Sequence, residues 1–207
     1  MHLSRIKLDV SKLETMKAIS SPQVLHAIIE GCFVQKNRTL WRLDSLKGNL
    51  YLLLVSEDAP NFESLEFQLC ATGETGQTKN YVTFLANISN GQKLRFRFRG
   101  NPVHSVAACK GERGKVRPHV SEHHKREWLI KKSIPNGFVL EEDGFVMVET
   151  GQQRFYRNGK DKPVQLSYAI YEGVLTVADA AQFVTALTQG IGRGKAYGCG
   201  LMTVMVI

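Results

Sequence analysis

Residues 93–103 read KLRFRFRGNPV, and their chemistry alternates: Leu94, Phe96 and Phe98 interleave with Arg95, Arg97 and Arg99. A strand turns successive side chains to opposite faces, so the apolar set points into a core and three guanidiniums line the other surface. No acid interrupts the arginines. That favours a track for phosphates over the mixed-sign face of an ordinary solvated strand. Pro102 ends the strand, since it lacks the N–H that a ladder needs.

Taken as a closing strand, this stretch completes a pattern that begins at the N-terminus. LSRIKLDV (3–10) reads as a first strand. A helix follows, with Ser21 suited to the N-cap, Pro22 at the first helical position and VLHAIIEGCF supplying the apolar face. TLWRLDSL and NLYLLLVS read as two strands, the second apolar enough to be buried on both faces. KNYVTFLANI reads as a short helix, and LEFQLC carries further strand signal. The order β-α-β-β-α-β is the ferredoxin-like plan.

Beyond Pro102 a second unit begins. SVAACKGERGKVRPHV (105–120) is basic and glycine-containing, as in a linker or loop. EHHKREWLIKKS reads as a helix. GFVLEEDGFVMVET and QRFYRNGKDKPVQLSYAIYEGVLTV read as strands, with a hairpin at NGK (158–160). ADAAQFVTALTQGI reads as a helix with Ala181, Val184, Leu187 and Ile191 on one stripe. The expectation is an α+β chain of two tandem ferredoxin-like (RRM-like) domains with antiparallel sheets, divided as 1–100 and 101–207. No RNP-type aromatic signature is present, so an ordinary RRM is disfavoured.

The 207 residues carry 27 Lys and Arg against 19 Asp and Glu, a formal charge of +8, which points to a polyanionic partner. No apolar run approaches the ~20 residues needed to span a bilayer, and the N-terminus lacks a signal-peptide pattern. The four cysteines, Cys32, Cys70, Cys109 and Cys199, form no CxxC pair, which argues against zinc and disulfides and for a reduced cytoplasmic setting. No cofactor or metal is expected. Further cations fall in clusters: Lys110, Arg113, Lys115 and Arg117 in the basic loop, and Arg154, Arg157, Lys160 and Lys162 around the hairpin. A basic helix carries Lys125, Arg126, Lys131 and Lys132. His119, His123 and His124 add a histidine cluster read as facing that polyanion or simply exposed.

The segment GIGRGKAYGCGL (190–201) precedes a terminal strand, MTVMVI. It is not a Walker loop, and it follows a helix and precedes a strand, the wrong order for a dinucleotide fingerprint. Gly190, Gly192, Gly194, Gly198 and Gly200 permit positive φ, and the exposed N–H groups of such a loop can cradle an anion with Arg193 and Lys195 as counter-charge. The alternative is a tight helix-to-strand crossover.

The same segment is similar to the glycine-rich signature of the CRISPR-associated repeat-processing proteins. MHLSRIKLD, PQVLHAIIEGCF, LWRLD, LRFRFRGNPV, EWL and YEGVLTVAD follow in the family's order, and together they resemble the CasE subfamily of the RAMP superfamily, the endoribonuclease subunit of Cascade. The resemblance implies two ferredoxin-like domains and binding of a repeat stem-loop with cleavage at its 3′ base. It also implies a metal-independent cut, retention of the cleaved guide RNA and association with other Cascade subunits. His26 carries over onto the family's catalytic histidine. On a helix of about 100° per residue it falls at the border of the Leu25, Ile28, Ile29 and Cys32 face, with Gln23 and Glu30 three and four positions away. An imidazole can accept or donate a proton near neutrality, as attack of a ribose 2′-OH on the adjacent phosphate to leave a 2′,3′-cyclic phosphate requires. Two positions depart from the family: Gln23 stands where a tyrosine is common, and Ala27 where a cation is. Lys36, Arg38 or Arg42 could then assist His26, or the partner lies elsewhere. A non-catalytic guide-RNA-binding subunit is the alternative.

Overall fold

A computed structural model of the chain describes residues 1–35, 38–106, 114–156 and 162–207. The first unit comprises β1 (His2–Leu8), α1 (Leu13–Ser20), α2 (Pro22–Glu30), β2 (Leu40–Leu46), β3 (Asn49–Ser56), α3 (Glu63–Leu69) and β4 (Gln77–Asn80). Its antiparallel sheet has the order β2-β3-β1-β4, the ferredoxin-like arrangement. The helices cover one face, where Leu25, Ile29, Leu65 and Leu69 meet Ile6, Leu52 and Leu54 in a common core. The central β3, paired by β1 and β2, is apolar along most of its length because both faces are covered: Leu52 and Leu54 join this core, while Leu53 and Val55 pack into the core of the second unit.

Two readings of this unit are corrected. LEFQLC is not a strand: Glu63–Leu69 is helical, with Leu65 and Leu69 turned inward at i,i+4. KLRFRFRG does not close the first sheet either. That place is taken by β4, QTKN, a fully exposed edge strand with no apolar residue to announce it. The short helix expected in KNYVTFLANI exists as α4 (Val82–Ala86), and Tyr81, Leu85 and Ile88 pack into the core of the second unit.

The second unit begins with β5 (Lys93–Gly100). It continues through β6 (Val103–Val106), β7 (Lys115–Pro118), α5 (Glu122–Ser133), β8 (Phe138–Val139), β9 (Phe145–Phe155), β10 (Val164–Val177), α6 (Ala180–Gln189) and β11 (Met202–Val206). Its main sheet runs β11-β5-β10-β8, with β9 also pairing β10, so the β-α-β-β-α-β order recurs. The strand expected to end a unit at residue 100 is central in the next sheet, and the sheets part between Asn80 and Lys93. The reason is aromatic packing: Phe98 is fully buried and stacks beside Trp128 of α5 and Tyr171 of β10. The basic segment read as a linker contributes β6 and β7, a separate two-stranded ribbon. On α6 the buried stripe is Phe183, Ala186 and Leu187 rather than one through the exposed Ala181.

The units are joined by a polar pin. Arg42 of β2 is fully buried, and its guanidinium donates to both Asp44 carboxylate oxygens, Arg97 O, Leu201 O and Thr203 Oγ1 at 2.6–3.0 Å. Five donors thus meet five bonds, which is what makes a buried guanidinium tolerable. Burial pushes the Asp44 carboxyl up, but the hydrogen bonds and charge of Arg42, joined by Arg97, outweigh it and hold Asp44 below the usual carboxylate range.

Candidate active site and RNA-facing surface

The site is built on α2. Extended backbone at Ser21 (φ −126°, ψ 97°) separates α1 from α2, and Pro22 starts the second helix with its φ already suited to helix. Ser21 occupies the N-cap position through its carbonyl, which accepts from Val24 and Leu25; its side chain makes no cap bond. Leu25, Ile29 and Cys32 are buried, which turns Gln23, His26, Ala27 and Glu30 toward the open side. The His26 side chain is 22% exposed, with Nε2 3.5 Å from Glu30 Oε1. Nδ1 is buried without a hydrogen-bond partner, so Nε2 is the nitrogen that a substrate can reach.

The glycine-rich segment closes on this helix. All five of its glycines have positive φ, and Gly194 and Gly198 flank a short 3-10 turn, Lys195–Tyr197. At Gly198 a Cβ would sit 2.7 Å from the Trp41 ring, so the close approach itself demands glycine. The segment folds mostly on its own bonds: Ile191 N donates to Gly200 O, Tyr197 N and Cys199 N to Gly194 O, and Gly200 N to Arg99 O. Those amides are engaged inside the protein, as in a packed crossover. Lys195 is likewise turned inward, donating from Nζ to Gln189 O at the end of α6 (2.6 Å); burial and the charge of Arg38 lower its pKa. Arg193 remains exposed. The turn delivers Tyr197 to α2, where its hydroxyl donates to Gln23 Oε1 at 3.5 Å. Nothing in the sequence alone marked Tyr197, because the contact joins residues 174 positions apart.

The three arginines of β5 separate in role. Arg95 is exposed and fits the expectation. Arg97 is half-buried and paired with Asp44 and Glu172, acids from β2 and β10 that the local sequence does not reveal. Arg99 is 6% exposed, bonded to Gln153 Oε1 and stacked over Tyr168, with its carbon Cζ 4.0 Å from the ring centroid. An unbroken triple phosphate track is therefore replaced by one outward cation and two built into the fold. Arg42, considered as an aid to His26, is the buried pin, and Arg38 bonds Gln189 Oε1.

Lys115 and Arg117 stand exposed on the β6–β7 ribbon, and Arg154 and Lys162 stand exposed near the facing ends of β9 and β10. Phe155 pairs with Val164, and the hairpin read at 158–160 lies outside the described residues. Lys36, Lys110, Arg113, Arg157 and Lys160 lie outside the described residues. On α5, Arg126 is turned to the fold, donating to Phe145 O and Glu142 O and lying over the Phe145 ring. His104 of β6 joins the histidine cluster, its ring centroid 4.5 Å from His119, which is 5.8 Å from His124. Desolvation and the two neighbouring imidazoles lower the pKa of His119. Among the described residues, no group of three or more potential ligands is placed to hold a metal ion.

A sequence profile of the family described as CRISPR associated protein matches residues 1–205. The chain belongs to this CRISPR-associated family. It is 27% identical over 219 residues to the CRISPR-associated endoribonuclease Cse3 of Thermus thermophilus, covering 99% of each chain. It is 32% identical over 121 residues to the CRISPR system Cascade subunit CasE of Escherichia coli, covering 55% of this chain and 58% of that one. Among solved structures, Cse3 bound to a 19-nucleotide RNA matches with a TM-score of 0.83 at 24% identity, covering 99% of this chain and all of the other. A chain of a CRISPR RNA-guided surveillance complex matches with a TM-score of 0.71 at 20% identity over the full length of both. These likenesses show the tandem ferredoxin-like fold of this CRISPR-associated protein. No helix among its described residues is long and apolar enough to cross a membrane.

Proposed function

We propose that the chain is a CRISPR repeat-processing endoribonuclease that binds a repeat stem-loop and cuts it through His26, then holds the product within a Cascade-type complex in the cytoplasm. The full-length likeness to an endoribonuclease supports the activity class. The observation that carries the site is a partly exposed imidazole on the polar face of α2, at the point where the glycine-rich turn of the second unit closes on that helix. In the reaction the ribose 2′-oxygen forms a bond to phosphorus while the bond from phosphorus to the 5′-oxygen breaks. The 2′ proton leaves to a base and the 5′-oxygen takes up a proton, giving a 2′,3′-cyclic phosphate and a 5′-hydroxyl. An imidazole with Nε2 facing the substrate can act in either transfer. The exposed cations Arg95, Lys115, Arg117, Arg154 and Arg193 grip the backbone in this reading; the turned-in Arg97, Arg99 and Lys195 shape the surface that presents them.

The test is a cognate repeat hairpin carrying a single deoxyribose 5′ of the scissile phosphate. The ribose hairpin is cut in excess EDTA to a cyclic phosphate end, while the deoxy hairpin binds equally and is not cut. Strict dependence on magnesium, or cutting of the deoxy substrate, would overturn the mechanism.

A further inference from the structure

Cleavage by a neighbouring 2′-hydroxyl moves two protons and builds negative charge on the non-bridging oxygens of the phosphorane. The polar face of α2 offers one imidazole for this work, and Gln23 exchanges no proton near neutrality. Glu30 already faces His26 Nε2, and its negative charge repels a phosphate. Lys195 is tied to Gln189 O. Among the described residues, the hydroxyl of Tyr197 also reaches this side of the helix, at Gln23.

The mount of Tyr197 is stiff. Left-handed Gly194 (φ 78°) and Gly198 (φ 77°) bracket its turn, and Tyr197 N donates to Gly194 O at 2.9 Å. Its ring tilts against Phe155 with centroids 4.8 Å apart, while the following glycine abuts Trp41. Packing thus aims the phenol at α2 from the opposite unit. Its hydroxyl reaches Gln23 Oε1 at 3.5 Å, and a phosphate oxygen, being charged, is a stronger acceptor than an amide for a donor so placed.

We propose that Tyr197 is a second catalytic residue, its hydroxyl donating a hydrogen bond to a non-bridging oxygen of the scissile phosphate as the phosphorane forms. The phenol keeps its proton throughout and stabilises charge; bond making, bond breaking and both proton transfers are those written above. The inference rests on the proposed cleavage through His26. It assigns to the glycine-rich segment the task of carrying one reacting group from the second unit to the helix of the first.

The experiment compares wild type, Tyr197→Phe and His26→Ala in single-turnover cleavage of a repeat hairpin, with RNA affinity and melting temperature measured on each. Loss of one oxyanion donor is expected to slow Tyr197→Phe by roughly 10²–10³-fold, while affinity is retained because the ring and its packing remain. Hairpins with sulfur in place of either non-bridging oxygen separate chemistry from structure. In wild type one diastereomer is cut more slowly than the other, and in Tyr197→Phe that difference shrinks. A Tyr197→Phe enzyme that cuts within about two-fold of wild type overturns the proposal, as does an undiminished diastereomer difference in a slow Tyr197→Phe enzyme. If His26→Ala itself cuts normally, the reading of the reaction fails; if it is inactive and Tyr197→Phe is not, only the role of Tyr197 fails.

Discussion

The two units share one topology and differ in what they do with it. The first closes on an exposed polar edge strand, QTKN, and keeps plain connections around its sheet. The second closes on β11 after a glycine-rich crossover, inserts the β6–β7 ribbon before its first helix and extends β9 and β10 into a long pair. The first presents an imidazole on a helix; the second carries the exposed Arg95, Lys115, Arg117, Arg154 and Arg193 and the turn that reaches that helix. Duplicated topology thus permits division of labour, provided that the two halves are held in register. Arg42 and Asp44 supply that register, by tying β2 of one sheet to β5 and β11 of the other.

The largest effect should come from erasing the chemical half of this contrast. His26→Ala should reduce cleavage by roughly 10²–10⁴-fold, the usual worth of general acid–base catalysis, and leave RNA affinity within a few-fold. Single-turnover cleavage beside a binding titration measures both. Normal cutting would return His26 to the status of a helix-border residue.

Breaking the pin attacks the join instead. Asp44→Ala leaves the Arg42 guanidinium buried without its carboxylate and should cost about 3–5 kcal/mol of stability, read by denaturant unfolding. The pH dependence has a definite sign. Because the Asp44 carboxyl is held below its ordinary value, its stabilisation is fully present above about pH 4 and is lost as pH falls through the folded value. The gap between wild type and Asp44→Asn should therefore narrow in acid. A constant gap down to pH 2 would show that the charge of Asp44 is not what matters.

Gly198→Ala tests the crossover. Its Cβ would need a positive φ and would press on Trp41, a combination worth about 2 kcal/mol or more. A lowered melting temperature at unchanged cation content is expected. Wild-type stability would mean that the turn yields more readily than its packing indicates.

The smallest effects sharpen the contrast between outward and inward cations. Arg117→Ala should weaken RNA binding and flatten its log–log salt dependence by roughly 0.7–0.9, the loss of one phosphate contact. Arg99→Gln, altering a buried partner of Gln153 and Tyr168, should leave that slope unchanged while lowering stability. Equal slopes in both variants would erase the distinction.

Much of this was legible along the chain. Alternation marked β1 and β5, an apolar run marked β3, and Pro22 marked a helix start, because these signals act within a few residues. The motif order pointed to the family and, by resemblance, to His26. QTKN gave no sign of being a strand, since an exposed edge needs no apolar face. LEFQLC misled because a short amphipathic helix and a short strand both place apolar residues close together.

Sequence by itself determined the alternation of apolar and basic residues in KLRFRFRG, the glycines that permit the crossover, and the excess of positive charge. These are local properties, fixed by side-chain chemistry and backbone freedom. Only the tertiary structure decided which sheet KLRFRFRG joins, since either partner would satisfy its hydrogen bonds and the choice is set by the packing of Phe98 beside Trp128 and Tyr171. It decided which arginines face outward, because Asp44 and Glu172 come from strands far away in the chain. It also decided that a tyrosine from the last turn meets a helix near the first, which no local pattern encodes because the contact exists only once the two units are docked.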